Sequence, residues 1–79
     1  SRIHFEVKRL PAQQLLPGMI LEENVVTQDG ITVISKGTTL TVTLIERVLN
    51  FARTRGVLEP IQVRAPQGSY ADELQKLRV

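Results

Sequence analysis

VVTQDGITVISKGTTLTVTLIERVLNFARTRG, residues 25–56, reads as a hairpin that runs into a helix. Asp29-Gly30 lies between two apolar, β-branched runs. A two-residue loop there predicts a type I′ turn, which needs φ > 0 at both central positions. The return strand is Ile31–Ser35, rich in Val, Ile and Thr. Lys36-Gly37 then turns the chain. A single lysine beside a single glycine is not a phosphate loop, which needs Gly-x-x-x-x-Gly-Lys-Ser/Thr. The helical spacing of Leu44, Ile45, Val48, Leu49 and Ala52, with Phe51 beside them, predicts a helix from about Thr41 to Arg55. Thr43 would form a capping box with Glu46, but it would set Val42 opposite Arg47. Thr41 instead pairs Leu40 with Ile45 as a hydrophobic staple and is the predicted cap. Arg53 and Arg55 suit the negative end of the helix dipole, and Gly56 stops the helix.

Upstream, Met19–Thr27 reads as one strand, apolar at both ends with Glu22-Glu23-Asn24 between. Either a bulge shifts its phase or its middle crosses an edge into solvent. Adjacent strand residues point to opposite faces, so Glu22 and Glu23 cannot work as a carboxylate pair; edge protection explains them. Pro17-Gly18 predicts a type II turn. Ala12–Leu16 is long enough for one helical turn, with Leu15 and Leu16 at the edge of the core. In residues 3–8, Ile3, Phe5 and Val7 alternate with His4, Glu6 and Lys8. That predicts a strand with the apolar set inward and His4 on the wet face.

Downstream, Ile61–Arg64 alternates as a last strand, ended by Pro66 and Gly68. Residues 67–79 form a tail. A short helix from Ser69 would align Tyr70, Leu74 and Leu77. Eleven residues do not hold a helix alone in water, so the tail docks, swaps to a partner or frays.

The resulting fold class is α+β: a small, mostly antiparallel sheet of about four strands in the order β-β-β-α-β, with one main helix on one face. One domain spans residues 1–66. The predicted core is Ile3, Phe5, Val7, Leu15, Met19, Leu21, Val25, Ile31, Val33, Leu40, Leu44, Ile45, Val48, Leu49, Phe51, Ile61 and Val63.

The chain has 79 residues, 42% hydrophobic and 23% charged. A fold of this length buries only about 60% of its unfolded surface, which favours a part of something larger or an oligomer. Ser1 in place of Met, with no signal-like segment, fits a piece of a longer protein. No apolar run approaches the roughly 20 residues of a membrane span. Cysteine is absent and His4 is the only histidine. Disulfides, thiol catalysis and a His-His metal pair are thereby excluded. Ser1, Ser35 and Ser69 have no triad to join, and no familiar metal-ligand spacing occurs. Catalytic, cofactor and metal residues are therefore expected to be none, and the chain is not expected to be an enzyme. Glu59 before Pro60 is placed to cap or to pair with Arg64. Ten Lys and Arg against eight Asp and Glu leave a net charge of +2. The basic residues are spread out; Arg47, Arg53 and Arg55 come nearest to a cluster. With only Phe5, Phe51 and Tyr70 as aromatics, a nucleic-acid interface is not expected.

One set of residues resembles a known family. Leu15-x-Pro17-Gly18-Met19-x-Leu21 is followed by Val25, Asp29-Gly30, and Lys36-Gly37-Thr38-x-Leu40-Thr41. Leu44-Ile45-x-Arg47, Asn50-Phe51, Gly56 and Glu59-Pro60-Ile61-x-Val63 complete it. This order resembles the C-terminal accessory module of bacterial two-component response regulators, those with a receiver and an HD-type phosphohydrolase domain. The matched positions are turns, a cap and core residues. The resemblance implies a cytoplasmic signalling context and transfers no phosphodiesterase activity, since the chain has no His-Asp dipeptide. Two functions follow. The first is a non-catalytic interaction module that packs on neighbouring domains of its parent or forms a homodimer through a strand edge or the helix. The alternative is a small-ligand or cyclic-dinucleotide sensor, with Lys36, Arg53 and Arg55 meeting the anion. Weak DNA binding by Arg47, Arg53 and Arg55 is a third reading.

Overall fold

A computed structural model describes residues 4–67 and shows an α+β fold with two small antiparallel sheets. Its elements are β1 (Phe5–Leu10), a 3-10 turn (Ala12–Gln14), β2 (Ile20–Leu21), β3 (Val25–Val26), β4 (Thr32–Ile34), α1 (Val42–Thr54) and β5 (Ile61–Pro66). One sheet has the order β1-β5-β2 and the other is the β3-β4 pair. The last strand in sequence is thus the middle of the larger sheet. Ile3 and the predicted tail helix lie outside the described residues.

The single strand expected over Met19–Thr27 is two strands, one in each sheet. Glu22-Glu23-Asn24 makes the crossing because its polar groups take up the backbone partners a continuous ladder would have used. Glu22 N–H donates to Gln62 O at 2.9 Å, and Glu23 Oε1 accepts from Gln62 N–H at 3.0 Å. Asn24 Oδ1 accepts from Lys36 N–H at 2.7 Å. The outer edge of β2 is covered by residues 37–40: Leu21 N–H donates to Thr38 O and Leu40 N–H to Met19 O. The outer edge of β3 is covered by residues 56–58, through Gln28 N–H to Gly56 O and Leu58 N–H to Val26 O.

The turns follow local chemistry. Met19 N–H donates to Leu16 O at 3.3 Å across Pro17-Gly18, and Gly18 has φ +93°, as a type II turn requires. The Asp29-Gly30 hairpin is not type I′. No described non-glycine residue has positive φ, so Asp29 does not take the required conformation. Gly30 N–H donates to Thr27 O at 3.0 Å and Thr27 N–H to Ile31 O at 2.8 Å. This is a three-residue loop, Gln28 to Gly30, with Gly30 alone left-handed at φ +91°.

Thr41 caps α1, its Oγ1 accepting from Leu44 N–H at 3.2 Å. Ile45 and Val48 are buried; Leu44, Leu49, Phe51 and Ala52 pack against the core while partly exposed. The helix lies against β4 and the 3-10 turn. Met19, Leu21, Val25, Leu40, Val48, Ile61 and Val63 are the largest apolar side chains wholly removed from solvent. Leu16, expected at the edge of the core, is buried, and Leu10, Ala12, Ile34, Val57 and Ala65, none of them in the predicted core, join it. Three predicted core residues are exposed instead: Phe5 at 47%, Val7 at 56% and Ile31 at 43%. Val33, like Leu44, Leu49 and Phe51, is only partly buried.

The reversal of β1 has a simple cause. Leu10 pairs with Ile61, Lys8 with Val63 and Glu6 with Ala65. Directly paired residues share a face, and Ile61, Val63 and Ala65 face the core. Leu10 therefore sets the phase, and Phe5 and Val7 fall on the outer side. A shift of one residue would have exchanged the two faces.

Candidate interaction surface

The outer face of the larger sheet is assembled from three strands. Phe5, Val7 and Arg9 come from β1, Gln62, Arg64 and Pro66 from β5, and Ile20 from β2, which pairs with Arg64. Arg64 is the centre of this face. Its guanidinium carbon lies 5.6 Å from the centroid of the Phe5 ring. Its Nε lies 3.4 Å from Glu22 Oε1. That nitrogen is buried and has no hydrogen-bond partner, so the contact with Glu22 is charge attraction without hydrogen-bond alignment. Arg64 thus joins the aromatic ring to the acidic crossing segment, flanked by the exposed Phe5 and Val7.

The sequence marked Phe5 and Val7 as apolar but assigned them inward, and it did not single out Arg9 or Ile20. The available signal was where the alternation breaks. Phe5 and Val7 are followed in phase by Arg9, while Glu6 and Lys8 are followed by Leu10. Leu10, next to Pro11, was the better guide to the inner face.

The three predicted ligand residues have different surroundings. Lys36 lies in the turn at residues 35–38, where Thr38 N–H donates to Ser35 O and Gly37 has φ +88°. Arg53 donates from Nη2 to Asn50 Oδ1 at 2.5 Å. It lines an open groove of about 700 Å³ with Pro11, Leu49 and Glu59. The Glu59 carboxylate accepts from Ala12 N–H at 2.5 Å and gives that groove an anionic wall. Glu59 therefore bonds the backbone near β1 rather than Arg64. Arg55 is paired with Asp29, Nη1 to Oδ2 at 3.2 Å. Asp29 also accepts from the Thr27 hydroxyl, which is the main reason its carboxyl titrates below the ordinary range. His4 is exposed, and its carbonyl accepts from Gln67 N–H at 2.7 Å.

Among the described residues, no group of three His, Cys, Asp or Glu is placed to hold a metal ion. No described helix is long and apolar enough to cross a membrane. No family model, curated protein or solved structure matches the chain.

Proposed function

We propose that the chain is a non-catalytic interaction module of a bacterial, cytoplasmic response regulator, which packs against neighbouring domains of its parent or pairs with itself. The observation that supports this is the outer sheet face. Phe5 and Val7 stand beside Ile20 and Arg64 on a surface that no described element covers. An aromatic side chain and an arginine beside exposed apolar residues are the residue types that anchor protein interfaces. The ligand-sensor reading has less behind it: Arg55 is engaged by Asp29, and the groove beside Arg53 carries Glu59.

Titration against the domains encoded in the same gene tests the proposal. Binding that is lost in Arg64→Ala supports it. Absence of both domain binding and self-association, with tight binding of a cyclic dinucleotide, would replace it with the sensor.

A further inference from the structure

We infer that Asp29-Gly30 is a latent modification site, where aspartate isomerises to isoaspartate when the β3–β4 hairpin opens and which the folded loop holds shut. The site is separate from the outer sheet face, so failure of the interaction-module reading leaves it untouched. Asp29-Gly30 is the only Asp-Gly pair in the chain, and no Asn-Gly pair occurs. Glycine is the residue that lets this reaction run, since no side chain shields its amide nitrogen. The loop requires glycine at that position, because Gly30 has φ +91°. The turn therefore forces a labile pair into the chain.

The reaction needs no molecule but water. The Gly30 amide nitrogen bonds to Asp29 Cγ, and the hydroxyl of the neutral carboxyl leaves with the amide proton as water. Water then opens the cyclic imide. Opening at the side-chain carbonyl restores aspartate. Opening at the main-chain carbonyl leaves the chain running through Cβ and Cγ, which is isoaspartate. Nothing is oxidised or reduced. The isomer carries an extra backbone carbon in the loop, so the site records in covalent form how long the hairpin has been open.

Three features of the folded loop oppose the first step. Gly30 N–H donates to Thr27 O at 3.0 Å, so the attacking nitrogen is engaged. That bond, with negative φ at Gln28 and Asp29, makes residues 27–30 a type I turn. The third residue of such a turn has ψ of about 0°. This turns the Gly30 nitrogen well away from Asp29 Cβ about the Cα–C bond, whereas ring closure needs the two nearly eclipsed. Both carboxyl oxygens are also tethered. Oδ1 accepts from the Thr27 hydroxyl at 2.5 Å and Oδ2 from Arg55 Nη1 at 3.2 Å. Cγ does not swing onto the nitrogen without breaking them. The Thr27 bond and, less strongly, Arg55 hold the carboxyl below its ordinary range, so the neutral form that reacts is scarce at neutral pH. The Asp29 side chain is more than half exposed, so exclusion of water is not what protects it.

Ageing the purified chain at neutral pH, folded and in urea, tests this. Trypsin releases residues 10–36 as one peptide. Chromatography separates its aspartyl and isoaspartyl forms at unchanged mass, whereas deamidation of Asn24 in the same peptide raises the mass. The expected result is isomerisation at Asp29 that is slower by about tenfold or more in the folded chain than in urea. Arg55→Ala frees Oδ2 by changing an exposed side chain, and it should raise the folded rate severalfold with little change in the thermal melt. Thr27→Val frees Oδ1. Its folded rate should exceed the product of its unfolded fraction and its rate in urea. A folded rate equal to the rate in urea overturns the inference. So does a folded rate that Arg55→Ala leaves unchanged while Thr27→Val shows only what its unfolded fraction accounts for.

Discussion

The Thr27 hydroxyl donates to Asp29 Oδ1 at 2.5 Å and accepts from Ile31 N–H at 2.9 Å. Thr27 is the one buried polar residue among those described, with no exposed surface. Its hydroxyl therefore ties the two ends of the hairpin loop together inside the fold. Thr27→Val keeps the shape and removes both bonds. We expect a loss of roughly 1–3 kcal/mol in urea unfolding. An unchanged midpoint would mean the loop holds itself without the hydroxyl.

Asp29 should titrate below its ordinary value of 3.8, chiefly because of the Thr27 bond and with a smaller contribution from Arg55. A carboxyl depressed in the folded state stabilises the fold above its unfolded pKa. That stability is lost as pH falls from about 3.8 through the folded value. Asp29→Asn should flatten this acid-side loss. Carboxyl chemical shifts followed through an acid titration give the direct measurement. In Thr27→Val the Asp29 midpoint should move back toward the ordinary range, and a midpoint that stays put would place the cause elsewhere.

Gly56 ends α1 with φ +76° and sits against Gln28. A Cβ there would lie 2.7 Å from Gln28 Cγ. The Gln28 backbone cannot retreat freely, since its N–H donates to Gly56 O at 3.1 Å. Gly56→Ala combines left-handed strain with this clash, and we expect it to cost about 1–2 kcal/mol or more. Adding Gln28→Ala should recover the steric part only. Thermal denaturation of the single and double variants separates the two.

Leu40 is 1% exposed, whereas Leu49 packs against the core but also lines the groove beside Arg53. Leu40→Ala should cost about 2–5 kcal/mol, and Leu49→Ala clearly less. In a chain this small, Leu40→Ala should unfold much of the population at room temperature, as circular dichroism would show. Equal losses at the two sites would contradict the helix orientation.

The outer-face site was half legible. Phe5 and Val7 stood out as apolar, but alternation with period 2 marks two faces without saying which is inward. That choice came from a partner more than fifty residues away, through the pairing of Leu10 with Ile61. Arg64 read as an ordinary strand residue. Its position between Phe5 and Glu22 exists only once β1, β5 and β2 lie side by side.

Residue type alone determined what depends on bonds within a few residues. The Thr41 cap, the Gly56 stop and the turns at Pro17-Gly18 and Lys36-Gly37 close over one to four positions, where side-chain chemistry limits the backbone to few choices. Tertiary structure decided the rest. It split Met19–Thr27 between two sheets and put the last strand in the middle of the larger one. It also turned β1 so that Phe5 and Val7 face outward. Strand pairing is a contact between distant segments, and its register is set by which buried faces fit together, a quantity that no single stretch of sequence contains.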